Sequence, residues 1–137
     1  MPPIVQQFID YFEQLSDNQG LDLNTLYDEN VSFQDPVHQF VGLKKLEAYF
    51  KKLDLNVKSA RFDIHTTDIV GNKAFLEWKM HVTLKLPPNK KITTDGISIL
   101  TFDDKIKTHR DYFDAGELFY ENIPLLGLVI KGFKKTL

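Results

Sequence analysis

The chain of 137 residues is 42% hydrophobic and 26% charged, enough for one globular domain with a real core and too short for a second. A formal net charge of −2 and a pI near 6.1 remove the broad basic field that phosphate binders use, so nucleic acid is not expected as a partner. The absence of cysteine excludes disulfides, thiolate metal sites and cysteine nucleophiles.

From Pro3 to about Ser16 the apolar residues Ile4, Val5, Phe8, Ile9, Phe12 and Leu15 recur at three- and four-residue steps, the period of an amphipathic helix. Prolines suit its first turn, and Asp17-Asn18-Gln19-Gly20 ends it. A short helical piece over Asn24 to Tyr27 and a brief strand over Val31 to Gln34 follow. Leu43 to Leu53 returns to helical spacing, with lysines opposite the apolar face. The period then changes to two, predicting strands at about Ala60–Val70, Lys73–Leu86, Ile92–Phe102 and Lys105–Asp114. Gly71-Asn72, Pro87-Pro88-Asn89 and Asp103-Asp104 separate them as turns. A very apolar helix is expected beyond Pro124, within about 119–137, as a lid, a dimer element or, less simply, a membrane-surface segment. The N-terminus has no signal-peptide pattern and no apolar run is long enough to span a bilayer, so a cytoplasmic protein is expected.

Helices first and consecutive strands afterwards predict an α+β fold, a single domain over residues 1–137 with an antiparallel sheet curling around the N-terminal helices. There is no glycine-rich phosphate loop, no G-x-S-x-G elbow, and no metal-ligand spacing among His38, His65, His81 and His109.

Three segments place polar groups where they need explaining. These are Tyr11 on the first helix, Asp35 in "VSFQDPVHQFVG", and the run "KTHRDYFD". In the last, alternation puts His109, Asp111 and Phe113 on one face, and an aspartate among aromatics is costly to bury without a role or a partner. Asp35 precedes Pro36, a common turn former, so the structural alternative is a turn. In the strand from Lys73, the residues Ala74, Leu76, Trp78, Met80, Val82 and Leu84 form one apolar face, so simple alternation turns Lys79 and His81 to solvent unless a bulge resets the register.

The order of helix, short helix, "FQDP", "GLKKL" helix, four strands and "HRDYFD" resembles the nuclear transport factor 2-like superfamily, in its SnoaL-like branch, over about Ile4 to Leu118. That branch includes ketosteroid isomerases, limonene-1,2-epoxide hydrolase and polyketide cyclases. The resemblance implies a cone-shaped curved sheet, a cystatin-like fold, whose mouth holds a small apolar, oxygen-bearing molecule, in a homodimer. From the isomerases it implies Asp35 as base and Tyr11 as oxyanion donor, while the third element of those sites falls near Ser98, which cannot supply an acid. From the epoxide hydrolase it implies Asp111 as acid–base group, with Lys79 and His81 at the places of an arginine and a second aspartate, and Phe33 and Asp35 at those of the water-holding pair. The expectation is cofactor-independent and metal-free isomerase, hydrolase or cyclase chemistry on Asp35, Asp111 and Tyr11. Lys79, His81, His109, Phe33, Phe113 and Ser98 would line the pocket. The alternative is a non-catalytic ligand-binding or dimeric interaction module of the same fold.

Overall fold

A computed structural model describes residues 1–15, 22–85 and 90–115. Helix α1 (Pro3–Glu13) buries Ile4, Val5, Phe8, Ile9 and Phe12, the stripe its periodicity predicts. The short helical piece is a 3₁₀ turn, Leu23–Thr25, capped by the Asp22 side chain on the Asn24 N–H. Strand β1 (Tyr27–Gln34) starts four residues earlier than the sequence suggests and pairs with a short β2 (Gln39–Val41). Helix α2 (Leu43–Asn56) follows Gly42, whose φ of +114° is open to glycine and strained for other residues. Strands β3 (Val57–Val70), β4 (Lys73–Leu84), β5 (Lys91–Phe102) and β6 (Ile106–Phe113) then form a meander.

The six strands make one curved sheet in the order β2-β1-β6-β5-β4-β3. The sheet is mixed and not wholly antiparallel: the meander returns β6 alongside β1 in the same direction. Among the described residues no helix is long and apolar enough to cross a membrane. The apolar helix expected within 119–137 and the Pro87-Pro88-Asn89 turn lie outside the described residues.

Register breaks decide which side chains face the helices. An irregularity in β3 between Ile64 and Thr66 lets Ile64 and Ile69, of opposite parity, both pack on the core. A second, in β6 opposite Thr101 and Phe102, turns both Ile106 and His109 inward. The β4–β5 pairing has no such break, so Ala74, Leu76, Trp78, Val82 and Leu84 stay on the inner face. The main core joins α1, α2 and the inner faces of β1, β4, β5 and β6. A smaller cluster of Val82, Leu84 and Ile92, with Met80 and Phe113 against it, lies beside Trp78.

Trp78 pairs with Gly96, and a Cβ at position 96 would lie 2.3 Å from the indole ring. Gly96→Ala is therefore expected to destabilise the fold by about 1–3 kcal/mol through overpacking against a buried ring that cannot retreat, measured by urea unfolding.

Candidate functional site

Strand β1 ends at Gln34, and the chain turns at Asp35-Pro36 before β2. Asp35 organises that turn: its N–H donates to the His38 carbonyl (2.9 Å), and its Oδ1 accepts from the N–H groups of Val37 (2.8 Å) and His38 (2.6 Å). The Tyr49 hydroxyl, reaching from α2, donates to Oδ2. The His38 ring lies 3.7 Å from Oδ1 and packs on Tyr49. The side chain of Asp35 is only 2% exposed. Both carboxylate oxygens are occupied, as a buried charge requires. Burial and the charge of Asp35, with which it shares a hydrogen bond, push the Tyr49 hydroxyl well above the ordinary tyrosine range.

A second polar chain crosses the inner face of four strands. The Trp78 indole N–H donates to Ser98 Oγ (2.9 Å), and Ser98 donates to Asp111 Oδ1 (2.5 Å). His109 Nε2 lies 2.6 Å from the same oxygen, and His109 Nδ1 lies 2.8 Å from the Tyr27 hydroxyl. Phe8, Phe12 and Phe33 pack edge-on around the imidazole, and the Tyr27 ring stacks parallel to it. Burial, and behind it the charge of Asp111, push the Tyr27 hydroxyl up as well. The Asp111 side chain, 17% exposed, is the more open of the two carboxylates.

A cleft of about 600 Å³ beyond the ends of β1 and β6 is lined by Gln34, Asp35, Pro36, Arg110, Asp111, Tyr112 and Phe113. The structure thus brings together Asp35, Asp111 and Phe113 at the cleft, with Ser98, His109 and Phe33 directly behind. Tyr11 is half-buried on α1, edge-on to Phe12 at 5.0 Å, and contributes to the raised value of Tyr27. Lys79 and His81 are placed elsewhere. With β4 in unbroken register they stand on the outer face, Lys79 3.8 Å from Asp95 and His81 2.8 Å from Asp63, and neither lines the cleft.

Tyr27 and Tyr49 escape sequence reasoning because the partners are 82 and 14 residues away and each tyrosine reads as ordinary core. Thr94, two residues before Gly96 on the same face of β5, has a hydroxyl with no hydrogen-bond partner among the described residues although the residue is 2% exposed. No group of three or more His, Asp or Glu side chains is gathered among the described residues to hold a metal ion.

The model of the SnoaL-like domain matches residues 5–109, which takes in α1, the Asp35 turn, α2 and the meander as far as His109. The chain belongs to that family. Asp111 lies just past the matched stretch. No curated protein matches this SnoaL-like chain in sequence. Solved structures of the same fold include a proposed SnoaL-like polyketide cyclase from Shewanella denitrificans OS-217, 18% identical over 90% of this chain and 98% of that one, with a TM-score of 0.75. A ketosteroid isomerase-like protein from Catenulispora acidiphila DSM 44928, in complex with trimethylamine, is 15% identical over 89% and 93%, with a TM-score of 0.74. An epoxide hydrolase of the LEH-like type from M. tuberculosis is 14% identical over 95% of both chains, with a TM-score of 0.70. At these identities the likeness is one of fold.

The two buried phenols give the SnoaL-like domain an alkaline signature. The unfolded chain releases each phenolic proton near pH ~10 while the folded chain keeps it, so unfolding stability is flat below that pH and falls above it by about 1.4 kcal/mol per pH unit for each tyrosine. Urea unfolding between pH 9 and 11.5 should show the fall, and Tyr49→Phe and Tyr27→Phe should each remove one share of the slope.

Proposed function

We propose that this SnoaL-like domain takes a small apolar molecule bearing an oxygen into the cleft at the ends of β1 and β6 and moves a proton on it without a cofactor. Asp111 is the general base. The observation that carries this reading is the contrast between the carboxylates. Asp35 spends both oxygens on the turn and Tyr49. Asp111 is bonded through Oδ1 alone among the described residues and is the more exposed. For a carbonyl substrate, Asp111 Oδ2 takes the proton from the carbon next to the carbonyl and the electron pair moves onto the carbonyl oxygen. Protonated Asp111 then returns the proton at another carbon, which is isomerisation. With an epoxide, the same oxygen takes a proton from water as the water oxygen bonds to a ring carbon, that carbon's bond to the epoxide oxygen breaks, and protonated Asp111 returns the proton to the alkoxide to give the diol. Asp35 holds the turn and Tyr49 in place as the second carboxylate, and Phe113 supplies apolar wall that strengthens each hydrogen bond inside, while Tyr11 and Phe33 lie outside the cleft lining.

Asp111→Asn keeps the shape and removes the basic oxygen. Against a panel of small ketones and epoxides it should lower kcat by at least about 10²-fold while ligand-induced stabilisation stays nearly intact. Turnover unchanged in Asp111→Asn would end the assignment.

A second reading, a dimeric interaction module, draws on the outer face of the sheet. There Tyr112 is 43% exposed with the Arg110 guanidinium 4.5 Å over its ring, beside a groove of about 350 Å³ that includes Lys73, Ile99 and Thr101. If two copies meet there, Tyr112→Asp converts a dimer to a monomer in analytical ultracentrifugation. A wild-type monomer would rule that surface out as a self-interface.

A further inference from the structure

Tyr27 is wholly buried at the start of β1, does not line the cleft, and bonds to His109 Nδ1. The chemistry of the groups at the two ends of the polar chain sets the direction of every bond between them. An indole N–H can only donate, so Ser98 Oγ accepts from Trp78 and sends its own hydrogen to Asp111 Oδ1. At the other end the Tyr27 hydroxyl could donate to Nδ1 or accept from it. Were it to accept, its own hydrogen would be left without an acceptor among the described residues, next to an imidazole packed by Phe8, Phe12 and Phe33. A buried donor with no partner is costly, and this disfavours both the Nδ1–H tautomer and the imidazolium. Donation instead makes Nδ1 an acceptor and places the single imidazole hydrogen on Nε2, 2.6 Å from Asp111 Oδ1. Two donors then converge on one carboxylate oxygen.

We infer that Tyr27 is a positioning residue for proton transfer: it fixes His109 as the Nε2–H tautomer, which donates to Asp111 Oδ1 and leaves Oδ2 as the basic atom. The assignment of a tautomer stands on the hydrogen-bond geometry alone, and its catalytic meaning rests on Asp111 being the base. The rise of the Tyr27 hydroxyl above its ordinary range, caused by burial and the nearby Asp111, agrees with a phenol that keeps its proton.

The test is the two-bond ¹H–¹⁵N correlation spectrum of His109 in the ¹⁵N-labelled full chain at pH 7. The wild type should show a protonated Nε2 and an unprotonated, hydrogen-bonded Nδ1. In Tyr27→Phe the Nδ1 resonance should move toward that of an unbonded lone pair or the second tautomer should appear, whereas Ser98→Ala, which removes the other donor to Oδ1, should leave the tautomer unchanged. An imidazolium or an Nδ1–H tautomer in the wild type overturns the inference, and so does a Tyr27→Phe spectrum identical to the wild type. The wild-type spectrum decides the tautomer even if the variant does not fold. On a substrate turned over by the wild type, Tyr27→Phe should lower kcat about tenfold with KM little changed, a split that general loosening of the core would not produce. Failure of Asp111→Asn to affect turnover would remove the base and leave the tautomer assignment standing, so the two readings fail separately.

Discussion

A carboxylate on the inner face of a sheet has to be supplied with donors, and the way Asp111 is supplied organises much of this domain. Its donors come from the neighbouring strand and from its own: Ser98 on β5, backed by Trp78 on β4, and His109 on β6, backed by Tyr27 on β1. The register of three strand pairings must be right at once for these groups to meet. A one-residue slip in β4–β5 would carry Trp78 to the outer face and leave Ser98 without its donor. The hydrogen bonds therefore specify the alignment of the sheet as much as they stabilise it.

The same requirement explains why the sheet is irregular where it is. Ile106 and His109 are of opposite parity on β6, yet both are buried, because the register break between them lets one strand serve the apolar core at its start and the polar chain at its end. Between β4 and β5 the pairing stays regular, and there the Trp78 ring lies over Gly96, where no side chain intervenes. Regular pairing holds the large ring, and local breaks aim the small polar groups. The candidate site is thus placed on strands, with loops contributing the Asp35 turn.

Most of this fold is legible in the sequence, and the exceptions share a cause. The stripe of α1, the apolar face of β4 and the inward set His109, Asp111 and Phe113 follow from local period, because each depends on one strand or helix alone. The same rule that placed Trp78 inside also turned Lys79 and His81 out, against what the family resemblance implied for them. The parallel pairing of β1 with β6, by contrast, depends on contacts some 80 residues apart, and the early start of β1 hides in "YDEN", whose polar residues give no alternation. The candidate site divides in the same way. Asp35 and Asp111 stand out as carboxylates in apolar company, whereas Tyr27 and Tyr49 become polar groups only when tertiary structure gives their hydroxyls a partner.

What remains is why a small domain would carry two carboxylates at one opening. If both were structural, both would be expected to close on themselves as Asp35 does, with turn amides on one oxygen and a tyrosine on the other. Asp111 instead receives its donors on one oxygen from behind and stays partly open in front. Like-charge repulsion makes such an arrangement unfavourable unless one partner is neutralised locally, and the Asp35 turn with its two N–H groups and Tyr49 does that. Thr94 points the same way, since its buried hydroxyl has no partner among the described residues and such a group lowers stability. Stability forgone at the inner face of an otherwise well-satisfied sheet is the pattern expected where a fold has been shaped for a ligand as well as for itself.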